Sequence, residues 1–380
     1  LNNKIFLLAS LLAANRINKI PILSLNRENI QSVFDSKMEI ISDDNVIENV
    51  IHSNDSISFN ANFKYLSSDT QVIIFTSGSM GNPKAVELTF NNIFTSTKKW
   101  NEEIHFNKND VYLNMLSIDH IGGLSIFFRA LYYNFTMVLS SFSNKNFYKL
   151  VDKEKITLIS LVPAMLYQIL NDEIDKNVFD VIRYVILGGS MMDLDLIKRA
   201  CVFGVPLYLS YGMTETSSGV AGVKVNVNNV DSYSYKAFSG VNIIVDKSKI
   251  IIKSSTLMKG YWGSILNRNE YFVTSDLGFV NDNQLIITGR SDDVIISGGE
   301  NFSSSYIENK ICELEEIDFC KIVGEYDPKW GQKITAYIKI NNKFKDVGKI
   351  DLVKIMRSKM NRKIIPKNFY IINDTTQHAF

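Results

Sequence analysis

Short apolar runs recur along the chain, each bounded by turn residues and separated from the next by a helical pattern. VIIF (72–75), TMVLS (136–140), ITLISL (156–161), YVILGG (184–189) and VPLYLSYG (205–212) are rich in β-branched residues and nearly continuous in hydrophobicity. That is the pattern of strands covered on both faces. Residues 90–103, 121–133 and 163–171 lie between them and read as helices. The alternation predicts an α/β fold, a large N-terminal lobe of mostly parallel sheet covered by helices. From about residue 231 the texture changes to VNIIVD, KIIIKSS, EYFVTSD and QLIITGR, short strands divided by turns, which predict a small β-rich subdomain. Residues 292–380 combine SSSYIENKICEL and DLVKIMRSKM, read as helices, with the strands CKIVGEY and KITAYIKI, and form a separate α+β unit. The predicted division is a large domain over 1–290 and a small C-terminal domain over 291–380. Near the start, IFLLASLLAA has the length of a signal peptide but is too short to span a bilayer. Its flank NRINKIPILSLN reads as a helix end followed by Pro21 and a short strand, so a core helix is expected.

Composition narrows the picture by exclusion. The 380 residues carry 41 basic and 40 acidic side chains, a balance that points to neither a nucleic-acid nor a membrane partner. Cys201, Cys312 and Cys320 form no C-x-x-C pair and have no histidines at metal spacing. Buried, reduced thiols in a cytoplasmic protein are the expectation.

The chemistry-bearing stretch is VIIFTSGSMGNPK (72–84), where a strand opens into a small, polar, glycine-bearing loop that ends in lysine. Glycines let backbone approach a ligand, free N–H groups with hydroxyls make an anion-binding concavity, and lysine adds a point charge for phosphate. Thr76, Ser77, Gly78, Ser79, Gly81 and Lys84 therefore suit a polyphosphate. A Walker loop does not fit, because Pro83 precedes the lysine and AVELT reads as a second strand before a helix at Thr89. Alone, the loop is equally an ordinary strand–turn–strand hairpin.

Three further motifs follow in order: SYGMTET (210–216), YFVTSDLG (271–278) and GRSDDVIISGGEN (289–301). With the loop, they resemble the acyl-adenylate-forming ligases, and the resemblance runs from about residue 5 to about 370. IDHIGGLSIFFRALYYNFT, ISLVPAMLYQIL and YVILGGSMM bring the text nearest to the o-succinylbenzoate–CoA ligases of menaquinone biosynthesis. Bottom-up reasons accompany the motifs. Tyr211 beside Gly212 is an aromatic suited to stack on a flat base, Thr214 offers a hydroxyl to phosphate, and Glu215 offers a hard oxygen to Mg²⁺. Core packing and a solvated loop carboxylate are the plain alternatives. The resemblance implies that Asp276 holds the ribose hydroxyls and that Arg290 reaches the ribose and phosphates. A surface Asp–Arg pair is the alternative. It also implies that His120 guards the acyl carboxylate pocket, that Gly188, Gly189 and Ser190 let a flat aryl group lie against backbone, that Asp292 is a hinge for a swivelling C-terminal domain, and that Gly298 and Gly299 line a pantetheine tunnel.

Arg129 stands on an otherwise apolar helix. Either it snorkels to the surface or it meets the distal carboxylate of an aromatic keto-diacid. The implied activity is ATP-dependent activation of such an acid as acyl-AMP and transfer to coenzyme A, with Mg²⁺. The catalytic set is His120, Thr214, Glu215 and Lys84. An enzyme that loads a carrier protein, or a nucleotide-binding pseudoenzyme, shares the same motifs. The expected partners are the acid, ATP and coenzyme A, with a homodimer as the candidate assembly. Met80 stands where the family usually has Thr, and Ser117 where it usually has Pro. The text stops at Phe380 before the family's glycine–lysine motif, and is short ahead of the phosphate loop. From this, weak adenylation with retained thioester formation from a supplied adenylate is expected.

Overall fold

The computed structural model describes residues 2–16, 20–23, 66–76, 84–172, 176–190, 192–266, 271–291, 293–297, 300–328, 330–344 and 348–372. Helix α1 (Asn2–Arg16) leads to β1 (Ile22–Leu23), the strands β2 (Thr70–Thr76) and β3 (Lys84–Thr89), and α2 (Phe90–Ile104). The α/β alternation follows as β4 (Val111–Asn114), α3 (Ile121–Tyr133), β5 (Thr136–Leu139), α4 (Asn144–Glu154), β6 (Leu158–Leu161), α5 (Pro163–Asn171), β7 (Tyr184–Leu187), α6 (Leu194–Val202) and β8 (Leu207–Met213). Next come β9 (Ser218–Val225), β10 (Tyr235–Ala237), β11 (Asn242–Asp246), β12 (Lys249–Lys253), β13 (Gly260–Tyr261), β14 (Ser264–Ile265), β15 (Phe272–Asn281) and β16 (Gln284–Arg290). The C-terminal part contains β17 (Val294–Ser297), β18 (Glu300–Ser303), α7 (Ser304–Cys312), β19 (Ile317–Asp327), β20 (Gly331–Ile340), α8 (Lys349–Lys359) and β21 (Asn368–Ile371).

The result is an α/β protein with three sheets. One sheet runs β1-β2-β3-β13-β14. The largest runs β11-β12-β15-β16-β10-β9-β8-β7-β6-β4-β5, and its β5, β4, β6, β7 and β8 are mutually parallel. β4, β6, β7 and the first part of β8 carry almost continuous buried side chains, as strands with helices on both faces must, while the edge strand β5 is only partly buried. The β-rich region is present at the expected residues. Its strands do not stand apart, however: β9, β10, β16, β15, β12 and β11 extend the parallel sheet in antiparallel fashion. Hydrophobic runs reveal strands but not which neighbour completes their hydrogen bonds.

Helix α1 buries Leu8 and Leu11 against Val72, Ile74, Val86 and Leu88 of the hairpin and Leu124 and Phe128 of α3, so the apolar N-terminal stretch is a core helix. The C-terminal sheet (β18-β17-β20-β19, with β21 on β20) has its own core of Ile307, Ile311, Ile322, Ile338, Leu352 and Met356. Lys310 of α7 pairs with Asp193, the N-cap of α6, and so ties this unit to the large sheet. All three cysteines are free thiols. Burial pushes their pKa values up, that of Cys312 to about 11, which disfavours the thiolate. Among the described residues no helix is long and apolar enough to cross a membrane.

Helix α2 begins where the sequence places it. Thr89 and Asn92 form a reciprocal capping box, and the Asn92 amide also donates to Leu257 O at 2.6 Å and Ser255 O at 3.2 Å. Replacing fully buried Thr89 by Ala is expected to lower stability by about 1 kcal/mol. Urea denaturation measures this, and an unchanged midpoint would contradict the cap's role.

Candidate nucleotide and acyl site

The parallel strands deliver their carboxyl ends to one edge of the sheet, where crevices of α/β proteins bind ligands. Beyond β4 the chain turns at Leu116–His120 into α3. Asn114 shapes this turn by accepting from Leu116 N at 3.2 Å and donating to Gly123 O at 2.9 Å. A Cβ on Gly123 would stand 2.2 Å from Ser117 O, so only glycine permits this close approach. Ser117, in place of the family's proline, closes the turn by donating to Asp119. His120 is the N-cap of α3 with extended backbone. It is exposed and makes no side-chain cap bond, unlike a satisfied core histidine. Beyond β7, Gly188 donates to Leu161 O at 3.3 Å, Gly189 has φ of +89°, and Gly189 and Ser190 are exposed.

Beyond the buried part of β8 lies the turn that gathers most of the expected groups. Tyr211 donates its phenol to Asp276 Oδ2 at 2.7 Å, and Arg290 Nη1 donates to Asp276 Oδ1 at 2.9 Å. β15 and β16 make this possible by pairing Asp276 with Arg290. Asp276 is only 6 % exposed whereas the Arg290 side chain is 46 % exposed, so a buried carboxylate meets a guanidinium that reaches solvent. Burial, and after it the Asp276 charge, raises the Tyr211 pKa, which keeps the phenol protonated and donating. Gly212 is demanded sterically, since a Cβ there would stand 2.2 Å from Ser218 O.

Further along, the same turn meets the β2–β3 hairpin through Tyr261. Thr214 and Glu215 are half-buried in the single 3₁₀ turn Thr214–Thr216. Glu215 Oε1 accepts from Tyr261 Oη at 2.9 Å, and Glu215 O accepts from Met258 N at 2.8 Å. The Tyr261 ring also faces Lys84, with Nζ 5.2 Å from its centroid. Lys84 opens β3 opposite Thr76, whose hydroxyl lies 3.5 Å from Lys84 O. Ser77, Gly78, Ser79 and Gly81 fall outside the described residues, as do Asp292, Gly298 and Gly299. Tyr261 was not anticipated. It sits on a two-residue strand, too short for any periodicity to mark.

The donor set suits magnesium in one specific way. Among the described residues no three His, Cys, Asp or Glu side chains cluster as a protein cage for a metal. A single carboxylate such as Glu215 is what Mg²⁺ uses when most of its remaining ligands are substrate phosphate oxygens and water.

Arg129 departs from the surface alternative. It is 2 % exposed, stacks on Trp100 with its guanidinium carbon 4.3 Å from the ring centroid, and donates from Nη2 to Ser218 Oγ at 2.8 Å. Its Nε is buried without a hydrogen-bond partner, and no described carboxylate pairs with it. Ser218 is the strand partner of Met213, so the guanidinium lies under the turn that carries Thr214 and Glu215. Burial pushes its pKa down to about 10, which still leaves it a cation at neutral pH. A buried cation with an unused N–H points to an anionic ligand group.

A profile of the AMP-binding enzymes matches residues 9–262. The 2-succinylbenzoate–CoA ligase of Staphylococcus epidermidis is 29% identical over 352 residues, which cover 85% of this chain and 71% of that protein. The o-succinylbenzoate CoA synthetase of Bacillus subtilis, solved in complex with its acyl-adenylate intermediate, matches with a TM-score of 0.65 and 26% identity, over 83% of this chain and 68% of that one. The same Bacillus subtilis enzyme in complex with ATP and a magnesium ion matches over 100% of this chain and 81% of that one. Its TM-score is 0.68 at 23% identity, a likeness of fold.

Asp276→Ala is expected to weaken AMP binding by roughly 10- to 100-fold, since hydrogen bonds to a charged group contribute about 1.5–3 kcal/mol. Calorimetric titration with AMP measures it, and an affinity within about twofold of wild type would contradict the role of Asp276.

Proposed function

Because the chain belongs to the AMP-binding enzyme family, we propose that it is an acid–CoA ligase that activates an aromatic keto-diacid of the o-succinylbenzoate type with ATP. One observation carries the reading above the others. The turn 211–216 joins two polar groups: Tyr211 donates to the Asp276–Arg290 pair, and Glu215 accepts from the tyrosine whose ring faces Lys84.

In this reading Tyr211 offers its ring to adenine, Asp276 accepts from the ribose hydroxyls, and Arg290 reaches the ribose and α-phosphate. Lys84, Thr76 and the hydroxyls and glycines of the loop hold the polyphosphate, with Thr214 on the α-phosphate. Glu215 would hold magnesium, which when bound would supply positive charge against the departing pyrophosphate. The acid's carboxylate oxygen attacks the α-phosphorus, the bond to the β-phosphate oxygen breaks, and pyrophosphate leaves. Because phosphoryl-type transfers need little covalent help, positioning and charge neutralisation are the protein's main contribution. The thiol sulfur of coenzyme A, as its thiolate, then attacks the acyl carbon, and AMP departs with the electron pair of the broken C–O bond. His120, at the exposed start of α3, guards the reacting carboxylate, and Gly188, Gly189 and Ser190 give the aryl ring a wall of backbone. Residues 1–290 and 291–380 act as two lobes, with Asp292 as hinge and Gly298 and Gly299 toward the pantetheine arm.

The acid class follows from Arg129. A monocarboxylic acid spends its only charge on the reaction, whereas a keto-diacid keeps a second carboxylate for a buried guanidinium. Pyrophosphate exchange across o-succinylbenzoate, benzoate and decanoate tests the reading. Exchange is expected with the diacid above all, and equal exchange with decanoate, or none with any acid, would contradict it. Arg129→Met separates the two duties of this residue. Loss of a buried charge contact is expected to weaken diacid use by about 2–5 kcal/mol in kcat/KM. The same change is expected to leave folding stability unimpaired or raised in urea, because it removes a buried unpaired charge. A destabilised variant that still selects the diacid would contradict the assignment.

A further inference from the structure

We infer that Tyr261 is a positioning residue that ties the phosphate-binding lysine to the magnesium-binding carboxylate, the hydroxyl orienting Glu215 and the ring carrying Lys84. The inference rests on the functional reading above and deepens it. Its basis is a pair of contacts made by one side chain. The phenol donates to Glu215 Oε1 at 2.9 Å, and the Lys84 ammonium lies 5.2 Å from the ring centroid.

The backbone fixes that side chain from both directions. β13 pairs with β3, placing Tyr261 opposite Val86, close to Lys84 on the same strand, and Trp262 N donates to Ala85 O at 2.8 Å. On the other side Met258 N donates to Glu215 O at 2.8 Å. The strand segment 258–262 therefore bridges the two sheets, and Tyr261 is the residue on it that reaches functional groups of both. Below it, Lys259 Nζ binds Glu87 Oε2 at 3.0 Å, and Thr70 Oγ1 donates to the same oxygen at 2.7 Å, which holds β13 in register against β2 and β3.

The chemistry follows from donor and acceptor roles. A carboxylate that must offer an oxygen to a small cation rotates freely unless its other oxygen is held. A phenol is well suited to hold it, because it donates one hydrogen bond and adds no charge to compete with the cation. Lysine and magnesium must both approach the same phosphates although they repel each other. Seating the ammonium on the ring face and the carboxylate on the hydroxyl spaces the two positive charges along one rigid side chain.

Tyr261→Phe keeps the ring and removes the hydroxyl. The inference is tested by calorimetric binding of ATP as Mg²⁺ is titrated, with AMP binding without metal as the control. The variant is expected to need about tenfold more Mg²⁺ or higher for tight ATP binding, in the range typical of lost partners to metal ligands. Its AMP affinity is expected to stay within about twofold of wild type. In a Glu215→Gln background the same change is expected to have no further effect on the Mg²⁺ requirement, because the group it orients no longer serves the cation. An unchanged Mg²⁺ requirement in Tyr261→Phe, or an equal loss in both backgrounds, would overturn the inference while leaving the ligase reading intact. A wild-type protein that binds neither AMP nor ATP would overturn the ligase reading and this inference with it.

Discussion

The turn from Tyr211 to Ser218, which in the proposed reading serves two ends of one ligand, is held by hydrogen bonds within itself and by buried ones to Ser96 and Thr256. Met213 N donates to Thr216 Oγ1 at 2.9 Å, and that hydroxyl donates to Ser218 O at 2.7 Å. Ser217 Oγ donates to Thr256 O at 2.8 Å, and Ser217 O accepts from Ser96 Oγ of α2 at 2.6 Å. Each bond contributes only about 1 kcal/mol net, but leaving a buried partner unmatched costs about 1–3 kcal/mol. The turn therefore has few alternatives of similar energy. Its geometry also excludes a side chain at Gly212, where the chain folds back on Ser218. Everything proposed for the site depends on this rigidity, because Tyr211 and Glu215 lie on the same short segment and face different partners.

Two charged groups show the site's demands working against simple folding preferences. Arg129 is desolvated without a carboxylate among the described residues, an arrangement that stability alone would not favour. Asp276 is buried as well but is matched by a guanidinium and a phenol, which fix its orientation. The first has no carboxylate among the described residues, and the second is a carboxylate with two donors. The contrast is consistent with one group selecting among acids and the other gripping a part common to every nucleotide.

Much of this is legible in the sequence. α3 and α5 begin and end where the hydrophobic spacing places them, and Thr89 marks the start of α2 because a capping residue followed by Asn92 is a local signal. The motifs single out Tyr211, Asp276 and Arg290 separately, and the pairing of β15 with β16 joins the last two. The illegible parts are long-range. The strands after residue 231 are visible, but their addition to the parallel sheet depends on the β8–β9 and β9–β10 pairings rather than on their own hydropathy. Arg129 reads as a helix residue that could face either way, because spacing gives a face and not what covers it. Tyr261 gives no signal, since its importance lies in two side chains, Glu215 and Lys84, that are distant from it along the chain.

The central claim is that one crevice beside this turn binds adenine, ribose and phosphate together. A crystal structure with a sulfamoyl-adenosine mimic of the acyl-adenylate tests it most directly. The account expects the purine against the Tyr211 ring, the ribose hydroxyls on Asp276 and the sulfamoyl group beside Thr214. A purine bound elsewhere, with Tyr211 and Asp276 untouched, would contradict it.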